Sequence, residues 1–217
     1  MAAQRDPDKD LKTKYRTIFS REHALARAVS HAVIKARPIS VWEVLIPILL
    51  VFSFAKSRET REIFVQNFLF TKQLALKGAR DMKREGISRR ETLSRLDQET
   101  RNLLESIKER IYSEEVRRNQ MDEMDLLLQH YSRLFDAEGE DYETWLAHAY
   151  GNLKNYLDFI GALKSAEKEV YLAAMETVGS QRNTEMVINM EKATERVRVA
   201  EAEKIFNSLP SHRHVNP

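Results

Sequence analysis

Cysteine is absent from this 217-residue chain, and glycine and proline are scarce, with 6 and 5 residues. Without cysteine there is no disulfide framework, no thiolate nucleophile and no zinc-thiolate site, and the absence fits a reducing compartment. Scarce turn residues beside 31% charged residues favour long helices. No strand-like alternation of apolar and polar residues occurs, so the sequence predicts an all-α fold.

Signatures of catalysis are also lacking. The sequence contains no P-loop, no dinucleotide fingerprint and no nucleophile elbow. A di-iron bundle needs Glu-x-x-His on facing helices, and no glutamate lies three residues before any of the 6 histidines. We therefore expect a protein with no catalytic site, no cofactor and no metal ion.

Charge is distributed unevenly, although the net charge is only +2. Residues 1–90 hold 19 lysines and arginines against 9 acidic residues, and residues 91–217 hold 16 against 24, so the two parts carry +10 and −8. The basic part indicates an anionic surface, either lipid or nucleic acid. Nucleic acid is the less suitable partner, because the aromatic residues lie within strongly apolar runs. The alternative is that the two parts attract each other within one fold.

The one long apolar run is ISVWEVLIPILLVFSFA, residues 39–55. A helix of this length is about 26 Å long, slightly shorter than the roughly 30 Å hydrocarbon core of a bilayer. Pro47 can kink such a helix or divide it into two arms. Each flank has four lysines or arginines within 20 residues, whereas a single span normally shows an imbalance that sets its orientation. Equal flanks favour a segment that dips into the membrane or lies along its surface, with both ends on the cytoplasmic face.

Specific side chains of this region are predicted to contact lipid. Trp42 suits the membrane interface because its ring is amphipathic. The predicted contacts with acyl chains are Trp42, Leu45, Ile46, Leu49, Leu50, Phe52 and Phe54. The predicted contacts with head groups are Arg37, Lys56, Arg58 and Arg61. The alternative is that residues 39–55 form the central helix of a bundle, covered by neighbours on every side.

Helical periodicity divides the chain into four parts. Residues 1–37 form a basic amphipathic helix, which is either an ordinary bundle helix or a membrane-surface helix. Residues 38–87 form an apolar helix or a helical hairpin, with membrane embedding as one option. Residues 88–209 form an acidic, elongated bundle of coiled-coil-like helices, and residues 210–217 form a disordered tail.

Capping residues mark two predicted helix starts. Ser88 and Glu91 match a capping box, and Asp141 can cap a helix that runs to Gly179. Within that helix Glu167 interrupts an otherwise apolar seam. Because an unpaired carboxylate is costly to bury, Glu167 needs a partner or a path to water.

The function predicted from these patterns is non-enzymatic. We expect a peripheral or monotopic membrane protein at the cytoplasmic face, which acts as a scaffold or adaptor and presents its acidic bundle to a protein partner or to a second copy. The first alternative is a soluble cytoplasmic assembly protein whose apolar segment is a core or a subunit interface. The second is an enzyme or ligand binder of an unfamiliar helical type, which requires a buried pocket with converging polar groups.

Overall fold

The computed structural model describes residues 7–34, 60–105, 113–178 and 184–208. Within these ranges the chain forms seven α-helices and no strand, which confirms the predicted all-α fold. The helices are α1 (Pro7–Ile34), α2 (Thr60–Glu85), α3 (Arg89–Glu105), α4 (Glu114–Asp136), α5 (Tyr142–Tyr150), α6 (Leu153–Val178) and α7 (Thr184–Ser208).

The five long helices α1, α2, α4, α6 and α7 close into a ring. α1 packs against α2 and α7, α4 lies between α2 and α6, and α6 packs against α7. An odd-numbered ring cannot alternate direction throughout, and here α2 and α4 are the parallel pair. Thr71 lies beside Gln120, and further along both helices Lys83 pairs with Asp136. α3 packs on α2 and α4 and returns the chain between them, so that the two run in the same direction.

Two large apolar clusters fill the ring, one towards each end, and Val116, Ala173 and Ala174 form a third, smaller cluster. The first cluster includes Ile18, Ala75, Leu76, Leu128, Tyr131, Leu146, Leu163 and Ile205. The second cluster includes Leu25, Val29, Val33, Phe64, Phe68, Leu69, Met190 and Ala193. Because both clusters combine residues from before and after residue 88, the described helices on either side of that position share one bundle.

The apolar faces of α1 and α2 are turned into this bundle. Ile18 and Val29 on α1 are buried, so α1 is an ordinary bundle helix rather than a membrane-surface helix. Phe64 and Phe68 on α2 are buried as well, and residues 60–85 of the predicted hairpin therefore belong to the bundle. Among the described helices, none has the length and hydropathy needed to cross a membrane.

Two predicted helix starts can be compared with the structure. Ser88 Oγ accepts a hydrogen bond from the Glu91 amide at 3.2 Å, which confirms the start of α3, while the Glu91 carboxylate pairs with Arg95. Asp141 caps α5 and accepts a hydrogen bond from the Thr144 amide at 2.9 Å.

The single helix predicted from Asp141 to Gly179 is wrong, because the chain forms two helices there. Gly151 ends α5 with a φ of 73°, a left-handed conformation that favours glycine. Asn152 then caps α6, since its Oδ1 accepts a hydrogen bond from the Asn155 amide at 2.9 Å. The apolar spacing continues across this break, and it therefore concealed the turn.

A buried lysine connects α1 to the end of α4. Lys14 Nζ donates hydrogen bonds to the carbonyl oxygens of Phe135 at 3.0 Å and Ala137 at 2.6 Å. The last carbonyl groups of a helix have no partner within the helix, and they carry partial negative charge. The ammonium group therefore satisfies orphan acceptors and complements the helix dipole.

Ion pairs link the basic and acidic parts of the chain. Arg21 of α1 pairs with Glu143, and Arg89 of α3 pairs with Asp125 of α4. These contacts agree with the alternative in which the two parts attract each other within one fold.

Candidate functional site

The predicted lipid-contacting residues fall largely outside the described ranges. Arg61 is within them, exposed in the first turn of α2. The residues outside them are Arg37, Trp42, Leu45, Ile46, Leu49, Leu50, Phe52, Phe54, Lys56 and Arg58. Their contacts with lipid stay a prediction.

A different set of charged residues lies inside the bundle. Five ionisable side chains, one from each helix of the ring, fall between the first apolar cluster on one side and the second and third clusters on the other, and we call them the polar layer. On α2, for example, Lys72 lies between Leu69 of the second cluster and Ala75 of the first. The members of the polar layer are Glu22 (α1), Lys72 (α2), Glu123 (α4), Glu167 (α6) and Arg198 (α7).

Glu167 is the centre of the polar layer. Arg198 donates two parallel hydrogen bonds to its two carboxylate oxygens, each at 2.9 Å, and Lys72 Nζ donates a third at 3.1 Å. All three residues are buried. Burial alone would raise the pKa of Glu167, but Arg198 and Lys72 lower it to about 2. The carboxylate is therefore ionised at neutral pH, and its expected need for a partner is confirmed.

Glu123 is held differently. It is buried on α4, and within the described ranges it forms no direct ion pair. Burial raises the pKa of Glu123 to about 7, the positive charge of Lys72 opposes this rise, and the negative charge of Glu167 adds to it. The pKa values of the two buried glutamates are thus shifted in opposite directions, because Glu167 receives the direct hydrogen bonds of both cations and Glu123 does not.

An aromatic group around His130 borders the polar layer. His130 Nδ1 lies 2.7 Å from the hydroxyl oxygen of Tyr150, in hydrogen-bonding contact. The imidazole ring stacks on Phe159 with a centroid separation of 4.6 Å. Burial, together with the positive charges of Arg198 and Arg133, lowers the pKa of His130 to about 3. The ring is therefore neutral at physiological pH and packs as part of the core.

The cavities beside the polar layer are small. One lies against Glu167 and Arg198 and has a volume of about 10 Å³, and the other lies against Glu22, Arg198 and His130 and has about 20 Å³. A water molecule needs about 10–15 Å³, so these cavities suit single waters rather than organic ligands. Glu22 Oε2 and the Tyr131 hydroxyl are buried without a hydrogen bond of normal geometry to a described residue. A water in the larger cavity would satisfy Glu22, whose side chain lines that cavity.

Chemically, the polar layer can hold charge and exchange protons. Lys72 and Arg198 are committed to Glu167, and the adjoining cavities leave no room for a substrate. Within the described ranges, no three histidine, aspartate or glutamate side chains are grouped to hold a metal ion.

Sequence reasoning identified Glu167 but missed the other members of the polar layer. Arg198 occurs in ERVRVAEAEK, where it looks like any charged residue of a solvated helix face. The signal that could have found it is spacing, because Met190, Thr194, Arg198 and Ala202 are all buried at four-residue intervals.

The fold and the polar layer define an all-α helical bundle with an ionic layer across its core. No model of a known protein family matches the chain, and comparisons with curated proteins and with solved structures found no match. Its function is therefore inferred from its own residues.

Proposed function

We propose that this protein is a non-enzymatic helical scaffold, attached at the cytoplasmic face of a membrane through residues 39–55. The observation that supports the proposal most is the topology around this apolar run. α1 ends at Ile34 and α2 begins at Thr60, and Val33 and Phe64 belong to the same apolar cluster. The two helix ends that flank the intervening 25 residues therefore lie at the same end of the bundle.

A segment whose two ends meet in this way suits monotopic attachment. Divided at Pro47, the run has two arms of 8 residues each. As helical arms, they would reach only about 12 Å, since a helix rises about 1.5 Å per residue. This depth is less than half of the roughly 30 Å hydrocarbon core, so the arms would enter a single leaflet. The balanced flanking charges support the same arrangement.

The basic residues beside the run support attachment to anionic lipid. Arg61 is exposed in the first turn of α2, next to the point where the chain returns to the bundle. Arg37, Lys56 and Arg58 flank the run in the sequence. Each cation near an anionic membrane surface contributes about 1 kcal/mol.

The scaffold role rests on the acidic helices of the bundle. Residues 91–217 carry a net charge of −8, and α3 to α7 lie within this part apart from the first residues of α3. With the bundle attached at the end where α1 and α2 meet, the sides of these helices are presented to the cytoplasm. A protein partner or a second copy is the proposed ligand of these faces.

Liposome flotation of the purified, detergent-free protein tests the proposal. Neutral and anionic vesicles are compared at low and high salt, with the variant Leu49→Glu beside the wild type. Leu172→Glu is the matched control, because Leu172 is already 38% exposed on the bundle. The same samples are checked for helicity by circular dichroism and for mass by light scattering.

We expect the wild type and Leu172→Glu to float at high salt, and Leu49→Glu to stay folded but sediment. Flotation restricted to anionic vesicles at low salt would mean that the basic residues adhere without insertion. If folded wild-type protein never floats, and Leu49→Glu unfolds or dissociates an oligomer, the soluble assembly alternative is correct.

A further inference from the structure

The polar layer contains more carboxyl groups than cations. Glu22, Glu123 and Glu167 provide three carboxyl groups, and Lys72 and Arg198 provide two positive charges. With every group ionised the layer would carry a net charge of −1 inside the bundle. One bound proton neutralises the layer, and an uncompensated charge is costly to bury.

The geometry distinguishes which carboxyl group holds that proton. Glu167 is excluded, since it accepts three charge-assisted hydrogen bonds from Lys72 and Arg198. Glu22 is only partly buried as a residue, although its Oε2 is enclosed, and it is therefore less shielded from solvent than Glu123. Glu123 is 5% exposed and has no direct ion pair within the described ranges.

We propose that Glu123 is a proton-binding switch, whose protonated form holds α4 firmly in the ring and whose ionised form loosens it. In the protonated form the polar layer is electrically balanced. Above neutral pH the same carboxyl group becomes a second buried anion that competes with Glu167 for Lys72. The pKa of about 7 for Glu123, raised first by burial, places this exchange in the physiological range.

The charged groups around α4 are consistent with this role. The groups that act on Glu123 are Lys72 of α2, Glu167 of α6 and Arg198 of α7, and Tyr171 of α6 lies close to both glutamates. On the α3 side of α4, Arg89 and Asp97 are paired with Asp125 and Arg117. At the far end of α4, Lys14 of α1 binds carbonyl oxygens, and α5 lies near that end. The charged groups near α4 that lie outside the polar layer are therefore bound to partners other than Glu123.

This inference does not depend on membrane attachment, and it is tested on the full-length protein. The equilibrium constant of unfolding is measured in denaturant between pH 6 and pH 8.5 for the wild type and for Glu123→Gln. Glu115→Gln is the control, because Glu115 is an exposed carboxyl group on the same helix. Comparison at each pH cancels the titration of all groups that the variants share.

The expected result follows from proton linkage. A folded-state pKa raised above its ordinary value stabilises the fold at low pH, and this stability is lost as the pH rises through the folded-state value. The ratio of the wild-type unfolding constant to that of Glu123→Gln should rise about tenfold from pH 6 to pH 8.5. The ratio for Glu115→Gln should stay flat. As the pH rises from 6 to 8.5, amide hydrogen exchange along α4, corrected for its intrinsic pH dependence, should accelerate in the wild type and not in Glu123→Gln.

A second measurement keeps the proposal open to refutation if Glu123→Gln does not fold. Carboxyl carbon NMR of the wild type, labelled at its glutamate side chains, should show one carboxyl group that titrates near pH 7. If every glutamate titrates below about pH 5, or if the unfolding ratio is flat, Glu123 is not the switch. If the ratio of unfolding constants changes tenfold but amide hydrogen exchange along α4 does not become faster, Glu123 binds the proton without loosening α4, and the proposed switch is wrong.

Discussion

Replacing Glu167 with glutamine removes the negative charge that Lys72 and Arg198 share. The substitution keeps the size of the side chain but leaves two cations buried beside a neutral amide. Breaking a buried ion pair by removing one partner costs about 3–5 kcal/mol. The pKa of Glu167 gives a similar magnitude. Its value of about 2, against an ordinary value of 4.5, corresponds to about 3 kcal/mol.

The measurement is denaturant unfolding at pH 7, followed by far-ultraviolet circular dichroism. We expect Glu167→Gln to lower the free energy of unfolding by about 3 kcal/mol, because the amide oxygen can still accept one of the lost hydrogen bonds. The control is Glu169→Gln, at an exposed position on the same helix, which should change the free energy by less than about 0.5 kcal/mol.

The sign of the pH dependence provides a second check on the same variant. A carboxyl group with a lowered folded-state pKa stabilises the fold above its ordinary pKa, and this contribution is lost as the pH falls towards the folded-state value. The difference between wild type and Glu167→Gln should therefore shrink by about 2 kcal/mol between pH 7 and pH 3. A loss below about 1 kcal/mol at pH 7, or a difference that grows on acidification, would refute the reasoning.

Three further substitutions test other parts of the bundle. Lys14→Met should lower the free energy of unfolding by about 2 kcal/mol, since it leaves buried carbonyl groups without a donor. Lys12→Met, at an exposed position, should have little effect in the same denaturant assay. Gly78→Val should lower the midpoint of thermal unfolding and cost about 2 kcal/mol, because a Cβ there would meet side-chain atoms of α3 and α4 at 3.0–3.3 Å. His130→Phe removes a side chain that stays neutral in the folded protein. As the pH falls from 7 to 5, the free energy of unfolding of the wild type should therefore decrease by about 2 kcal/mol relative to that of the variant. Denaturant titration at each pH measures this difference.

Helical periodicity predicted the secondary structure well because it depends on local spacing. The starts of α3 and α5 follow from Ser88 and Asp141, whose side chains bond to amides three residues away. The break at Gly151 was missed since a glycine inside a helical pattern is only a weak signal, and the apolar spacing resumes at once. Local patterns therefore give the helices and most of their ends.

Helix pairing could not be predicted in the same way. In the sequence alone, the apolar face of α1 is equally compatible with a bundle and with a membrane surface, because both present apolar surroundings to Ile18 and Val29. The partners of Glu167 come from positions 95 residues before it and 31 residues after it. No local rule connects such positions, and the polar layer is visible only once the ring is assembled.

The polar layer constrains the register of the helices more strictly than apolar contacts do. Apolar side chains tolerate many neighbours of similar volume, so the two clusters alone specify helix order only weakly. The hydrogen bonds at Glu167 need α2, α6 and α7 in one register, since a slip of one helical turn moves a side chain by about 5.4 Å. Such a slip would separate atoms that lie 2.9–3.1 Å apart and leave charges buried without partners. We therefore expect the ionic layer to favour a single arrangement of α2, α6 and α7, at some cost in stability relative to an apolar core.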